Sequence, residues 1–134
     1  MRSRLNLLHL LAAAAIATAV AFPATAAELA AKSTSAGGVT VEAVPRGITG
    51  PEWKFELSFN THSQPLTDDP TVTAVLVADG RELRPKAWQG DPPGGHHRKG
   101  ILVFAAPAPP PSRVDLKLQR PGEPSPRIFT WQLK

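Results

Sequence analysis

Trp53-Lys54-Phe55-Glu56-Leu57-Ser58-Phe59-Asn60 alternates large apolar and polar residues without a break. In an extended chain successive side chains point to opposite faces, so Trp53, Phe55, Leu57 and Phe59 share one side and the polar residues share the other. A helix would scatter the same aromatics around its circumference. The stretch predicts a β-strand whose aromatic face is core. Working outward, Val39, Val41 and Ala43 alternate with Thr40 and Glu42 before it, and Val72 to Ala78 (VTAVLVA) is apolar at nearly every position, as a central strand would be. Asp79-Gly80 predicts a tight hairpin into Arg81 to Trp88, and Pro85 assigns that strand to a sheet edge. Ile101 to Ala106, Val114 to Leu118 and Arg127 to Leu133 supply the rest. Strands at this spacing, separated by Pro, Gly, Asp and Asn, predict an all-β, immunoglobulin-like antiparallel sandwich of seven strands over residues 39–134. The proline run Ala106 to Pro111 reads as a stiff connector, with a motif for a proline-reading module as its alternative.

The rest of the chain concerns compartment. Arg2 and Arg4, the apolar run Leu5 to Val20 and the small residues Ala24-Thr25-Ala26 form the pattern of a cleaved secretory signal over residues 1–26. Residues 27–38 (AELAAKSTSAGG) are small and polar without a period and read as a flexible leader. The expectation is a periplasmic or secreted domain with no membrane anchor after cleavage. With Arg2 and Arg4 removed, thirteen basic residues face eleven acidic ones, too mild an excess for nucleic-acid binding. The chain has no cysteine and one methionine, the initiator, which excludes thiolate-zinc, iron–sulfur and blue-copper centres.

If successive strands run antiparallel, connections fall alternately at the two ends of the sandwich. One end receives Pro45 to Pro51, Asp79-Gly80 and Ala106 to Ser112. The other receives Thr61 to Pro70, Gln89 to Arg98 and Arg120 to Pro126, and with them His62, His96 and His97. Neighbouring residues of a regular strand diverge, but Pro92-Pro93-Gly94-Gly95 permits positive φ, which would let His96 and His97 converge with His62 as three neutral nitrogen ligands. Asp68, Asp69 or Asp91 would complete the shell or hold a ring N–H from outside it. Such a set suits Zn(II), Cu(II) or Ni(II). The competing reading makes the histidines structural: His62 bonded to loop backbone, His96 and His97 capping the turn or facing water.

Gly94-Gly95 followed by His96, His97, Arg98 and Lys99 also has the makings of an anion-binding nest, with Arg98 and Trp88 as contacts to an anion or partner, against an ordinary hairpin in which Asp91 and Arg98 pair. Trp88 either is exposed at the loop end or packs over the histidine loop. Trp53 and Trp131 have inward parity, which disfavours sugar stacking. Ser63 beside His62 is not nucleophile–base geometry, no G-x-S-x-G elbow occurs, and the adjacent Asp68 and Asp69 read as a turn rather than a hydrolytic pair, so no enzyme is expected.

Thr61-His62-Ser63, Leu66, Asp68, Pro85, Trp88, Gly90, Pro93-Gly94-Gly95-His96-His97-Arg98, Gly100, Leu102 and Phe104 together resemble a family of small exported prokaryotic β-domain proteins with no established activity. The resemblance spans Gly38 to Leu133 and implies one exported β domain. The sequence thus points to a binding or accessory domain, with a divalent metal ion (Cu or Zn) at the histidine end as the leading ligand and a metal-free module for an envelope protein or polymer as the alternative.

Overall fold

The computed structural model describes residues 16–19 and 29–134, so the expected signal and its cleavage positions lie almost wholly outside the described residues. Among those described, no helix is long and apolar enough to cross a membrane. Nine strands and one helical turn follow in the order β1 (Lys32–Ala36), β2 (Val39–Gly47), β3 (Glu52–Thr61), α1 (Pro70–Thr73), β4 (Ala74–Ala78), β5 (Arg81–Leu83), β6 (Ala87–Gly90), β7 (His97–Ala105), β8 (Arg113–Leu118) and β9 (Arg127–Gln132). They form two antiparallel sheets, β1-β2-β3-β7-β6 and β5-β4-β8-β9, packed as a sandwich.

The alternation in β3 does what its sequence dictates. Trp53, Phe55, Leu57 and Phe59 are buried against Leu76, Leu116, Phe129 and Trp131 of the other sheet. Phe55 is the hub, edge-on to Phe104 at 5.8 Å and tilted against Trp131 at 5.6 Å. Each such side chain contributes about 1.5–3 kcal/mol on burial. Trp53 and Trp131 are packed into this core and only 5% and 3% exposed, so neither offers an open ring face for sugar stacking.

Three expectations are corrected. Lys32–Ala36, read as leader, form the edge strand β1 in register with β2 across Gly37-Gly38, both at positive φ. A strand that lies at an edge with mostly exposed side chains needs no apolar residues, only backbone partners and a turn that two glycines permit. Second, the chain is extended from Ala74 rather than Val72, because Asp69 caps a helical turn begun by Pro70, its carboxylate accepting the Thr71 N–H at 2.9 Å. Third, Arg81 to Trp88 is not one strand. It breaks around Pro85: β5 closes one sheet and β6 the other, so the segment passes between layers. Strands β4 and β5 are joined by Asp79-Gly80, with φ of 45° and 82°, in the expected tight hairpin. Seven strands become nine among the described residues.

The proline connector is held rather than displayed. Pro107 and Pro111 are buried, and the Arg81 guanidinium donates to the carbonyls of Ala108 and, at 3.0 Å, Pro109.

Candidate functional site

The loops between β3 and α1, β6 and β7, and β8 and β9 meet at one pole, as strand parity predicts, and the β1–β2 turn joins them. Backbone bonds clasp them together. Leu66, fully buried, donates to Gly95 O at 3.0 Å and accepts from Gly94 N at 2.8 Å, while Thr61 N donates to His96 O at 2.9 Å. The Thr61 hydroxyl reaches Gly38 O at 2.8 Å. Gly94 and Gly95 have φ of 116° and 71°, the positive values expected of them.

Beneath these loops lies a layer of buried charge. Arg98, Arg120 and Arg127 are only 4, 5 and 5% exposed. Arg120 pairs with Asp68 at 3.0 Å and with Glu123 at 3.4 Å, and Arg127 pairs with Glu123 at 2.6 Å. Arg127 also donates to the carbonyls of Thr34, Val39 and Ala36 at 2.9–3.1 Å, tying the β1–β2 hairpin of one sheet to β9 of the other. Arg98 donates to the Asp68 and Asp91 carbonyls, lies 5.5 Å from the centre of the Trp88 ring, and so sits between a tryptophan face and two loops. Among the described residues no buried side-chain nitrogen or oxygen lacks a partner, which is the condition for a buried ionic layer to be tolerated.

This layer reassigns several expected ligands. Asp68 is buried in its pair with Arg120 and is not available to a metal ion. The Asp91 carboxylate accepts the Lys99 N–H at 2.9 Å, and it is the Asp91 carbonyl, not the carboxylate, that meets Arg98. Asp69 is the helical cap, its carboxyl held below the usual range by the Thr71 hydroxyl and N–H. Of the groups expected at an anion nest, Arg98 is buried, only 4% exposed, and the Gly94 N–H is engaged by the Leu66 carbonyl. Trp88 packs over the loop: its indole N–H donates to Asp91 O at 3.0 Å, Phe59 meets it edge-on at 6.3 Å, and its ring covers Gly100. A Cβ added to Gly100 would come within 2.6 Å of Trp88 Cζ2, so the strand needs glycine there.

Of the three histidines the structure brings two together. His97 opens β7, where Arg98 turns inward and His97 outward by simple alternation. His62 follows β3, and the two rings lie edge to face with centroids 6.5 Å apart. His97 Nδ1 lies 2.6 Å from Asn60 Oδ1 across the β3–β7 register. An amide oxygen only accepts, so Nδ1 carries the proton and, in the neutral ring, Nε2 carries the lone pair. His96 is exposed and gives its backbone carbonyl to Thr61. Among the described residues no group of three or more His, Cys, Asp or Glu side chains is placed to hold a metal ion, so the three expected histidine ligands are not gathered as a set. Ser63 Oγ meets Thr61 Oγ1 at 3.3 Å rather than an imidazole.

The buried arginines were missed in the sequence. Nothing local distinguishes Arg98, Arg120 or Arg127 from surface arginines except inward strand parity, which extends Leu118 to Arg120 and Phe129 to Arg127 and was legible in retrospect.

The layer makes stability depend on acid. Glu123 has its carboxyl lowered, chiefly by the hydrogen bond from Arg127, against the opposing effect of burial. A lowered folded pKa stabilises above the unfolded value of about 4.3 and loses that contribution as pH falls through the folded value. The melting temperature is therefore expected to fall below about pH 4.5, and Glu123→Gln should start lower at pH 7 and converge with the wild type in acid. Curves that stay parallel down to pH 2 would remove Glu123 from the account.

No family model, curated protein or solved structure matches the chain.

Proposed function

We propose that the protein is an exported, non-catalytic binding domain that takes a divalent transition-metal ion at an open site formed by His62 and His97. The observation that carries this reading is the paired imidazoles, with His97 held by Asn60. A ring whose Nδ1–H is fixed by an outer acceptor, leaving Nε2 free, is the arrangement that metal-ligating histidines use. With metal–nitrogen bonds of about 2.1 Å, two imidazole centroids on one ion stand at most about 6.5 Å apart, and closer when the angle at the metal is bent. For a tetrahedral angle the centroids would close by about 1 Å and the edge-to-face rings would turn so that a nitrogen of each faces the ion. Two protein ligands make a weak site whose remaining positions are filled by water or by groups from a partner.

Titration calorimetry with Zn(II) and Cu(II) tests this. One equivalent is expected to bind, with binding lost in His62→Ala and His97→Ala and kept in His96→Ala. Affinity should fall as the solution is acidified, because ligand imidazoles must shed their protons. No uptake by the wild type, or equal loss in His96→Ala, overturns it.

One observation favours a second reading, a metal-free surface for an envelope protein: the three loops are locked to one another before any ligand arrives. Preorganised loops cost little to dock. A photo-crosslinker at His62 that traps one defined partner, unaffected by chelator, would favour it over the metal site.

A further inference from the structure

The opposite pole, where the 45–51 and 106–112 connections lie, holds a concavity of its own. A groove of about 870 Å³ opens between the end of β2 and the end of β9, with Trp53 at its floor. This lies within the ~300–1,000 Å³ usual for small-molecule sites. The cause is local. The β2–β3 register shifts between Pro45 and Gly47, and the bulge bends β2 at the mouth. Ile48, Leu133 and Leu29 line the walls, each half-buried against the core, with Pro110 and Pro111 across from them.

We propose that this groove binds the free carboxylate form of a long-chain fatty acid, with the chain along the Trp53 floor and the carboxylate toward Arg46. Among the described residues no acidic side chain lines the groove. Arg46 is half exposed, and its partner Glu56 already lies 3.2 Å from Arg46 and 3.3 Å from Lys99, so that trio carries a net positive charge. Lys134 brings an ammonium, which donates to the Pro110 carbonyl at 3.4 Å. The wall chemistry disfavours a peptide. Strand-like recognition needs free backbone donors, and Pro45, Pro110 and Pro111 have no N–H to offer. A second copy is disfavoured too: beyond residue 29, Val72 and Ile128 are the large apolar side chains left exposed, single residues rather than a ridge that would fill the groove.

The test titrates the purified protein with dodecanoate below its micellar range, against dodecanol, and follows backbone amide shifts. Saturable shifts are expected at Ile48, Thr49, Gln132 and Leu133, with affinity rising up to about fourfold per added methylene. Ile48→Asp, a change at a loop position outside the strands, should weaken binding at least tenfold. Arg46→Gln should weaken dodecanoate about two- to fivefold, the scale of an exposed charge contact, and leave dodecanol unchanged. His97→Ala should bind as the wild type, which separates this site from the metal site. Absent shifts, equal binding of dodecanol and dodecanoate, or shifts that track self-association instead of ligand would each overturn the proposal.

Discussion

Arg127→Ala should leave the domain mostly unfolded at physiological temperature, or lower its melting temperature by at least about 12 °C. The side chain is 3% exposed and pairs at 2.6 Å with Glu123, itself 9% exposed. Removing one member of a buried pair costs about 3–5 kcal/mol, because the other charge stays behind. The Thr34, Val39 and Ala36 carbonyls lose a donor in the same step, and a domain of this size has only about 5–15 kcal/mol to lose. Arg127→Lys keeps the charge but not the planar fork, and should recover a minority of the loss. The double change Arg127→Met with Glu123→Met removes both charges and should be more stable than Arg127→Ala alone. Thermal melts followed by circular dichroism decide the matter: a single variant melting within 2–3 °C of the wild type would show that the guanidinium merely decorates the pole.

The second large effect is expected at Gly100. Gly100→Ala places a methyl group 2.6 Å from Trp88 Cζ2, 2.8 Å from Cη2 and 2.7 Å from Gly90 Cα. Strand β6 cannot simply retreat, because it is the edge whose tryptophan closes over Phe59 and Arg98. Overpacking of this kind costs about 1–3 kcal/mol. Trp88 is the group with somewhere to go, so its emission should shift to the red as it leaves its seat, and the loop it pins through Asp91 O should loosen. A Gly100→Ala protein with unchanged emission and melting temperature would mean that the β6–β7 approach adjusts without cost.

How much of this was legible follows from which forces are local. The alternation in Trp53–Asn60, Val39–Ala43 and Val114–Leu118 identified buried faces because each position reports its own side. Asp79-Gly80 announced its hairpin, since few other pairs tolerate that backbone. Strand β1 was hidden because its side chains touch almost nothing, and its existence depends on β2 offering backbone partners. The break at Pro85 was visible as a proline but not as a change of sheet, which is a property of both layers together. At the pole, parity gathered the three loops, and the His62–His97 contact follows from it. Parity also places His97 outward once β7 begins there, whereas the glycines before it suggested irregularity and convergence with His96. Asp68 looked like a candidate ligand because its partner, Arg120, lies 52 residues further along the chain.

The contacts that seal the open side of the sandwich join its first and last segments: Arg127 reaches Thr34 across 93 residues, and the Trp131 indole reaches Ala30 across 101. Contact order is thus loaded onto β9, and folding dominated by such non-local pairing is slow. A chain emerging amino end first, from a ribosome or through a narrow pore, would lack these contacts until β9 cleared the exit.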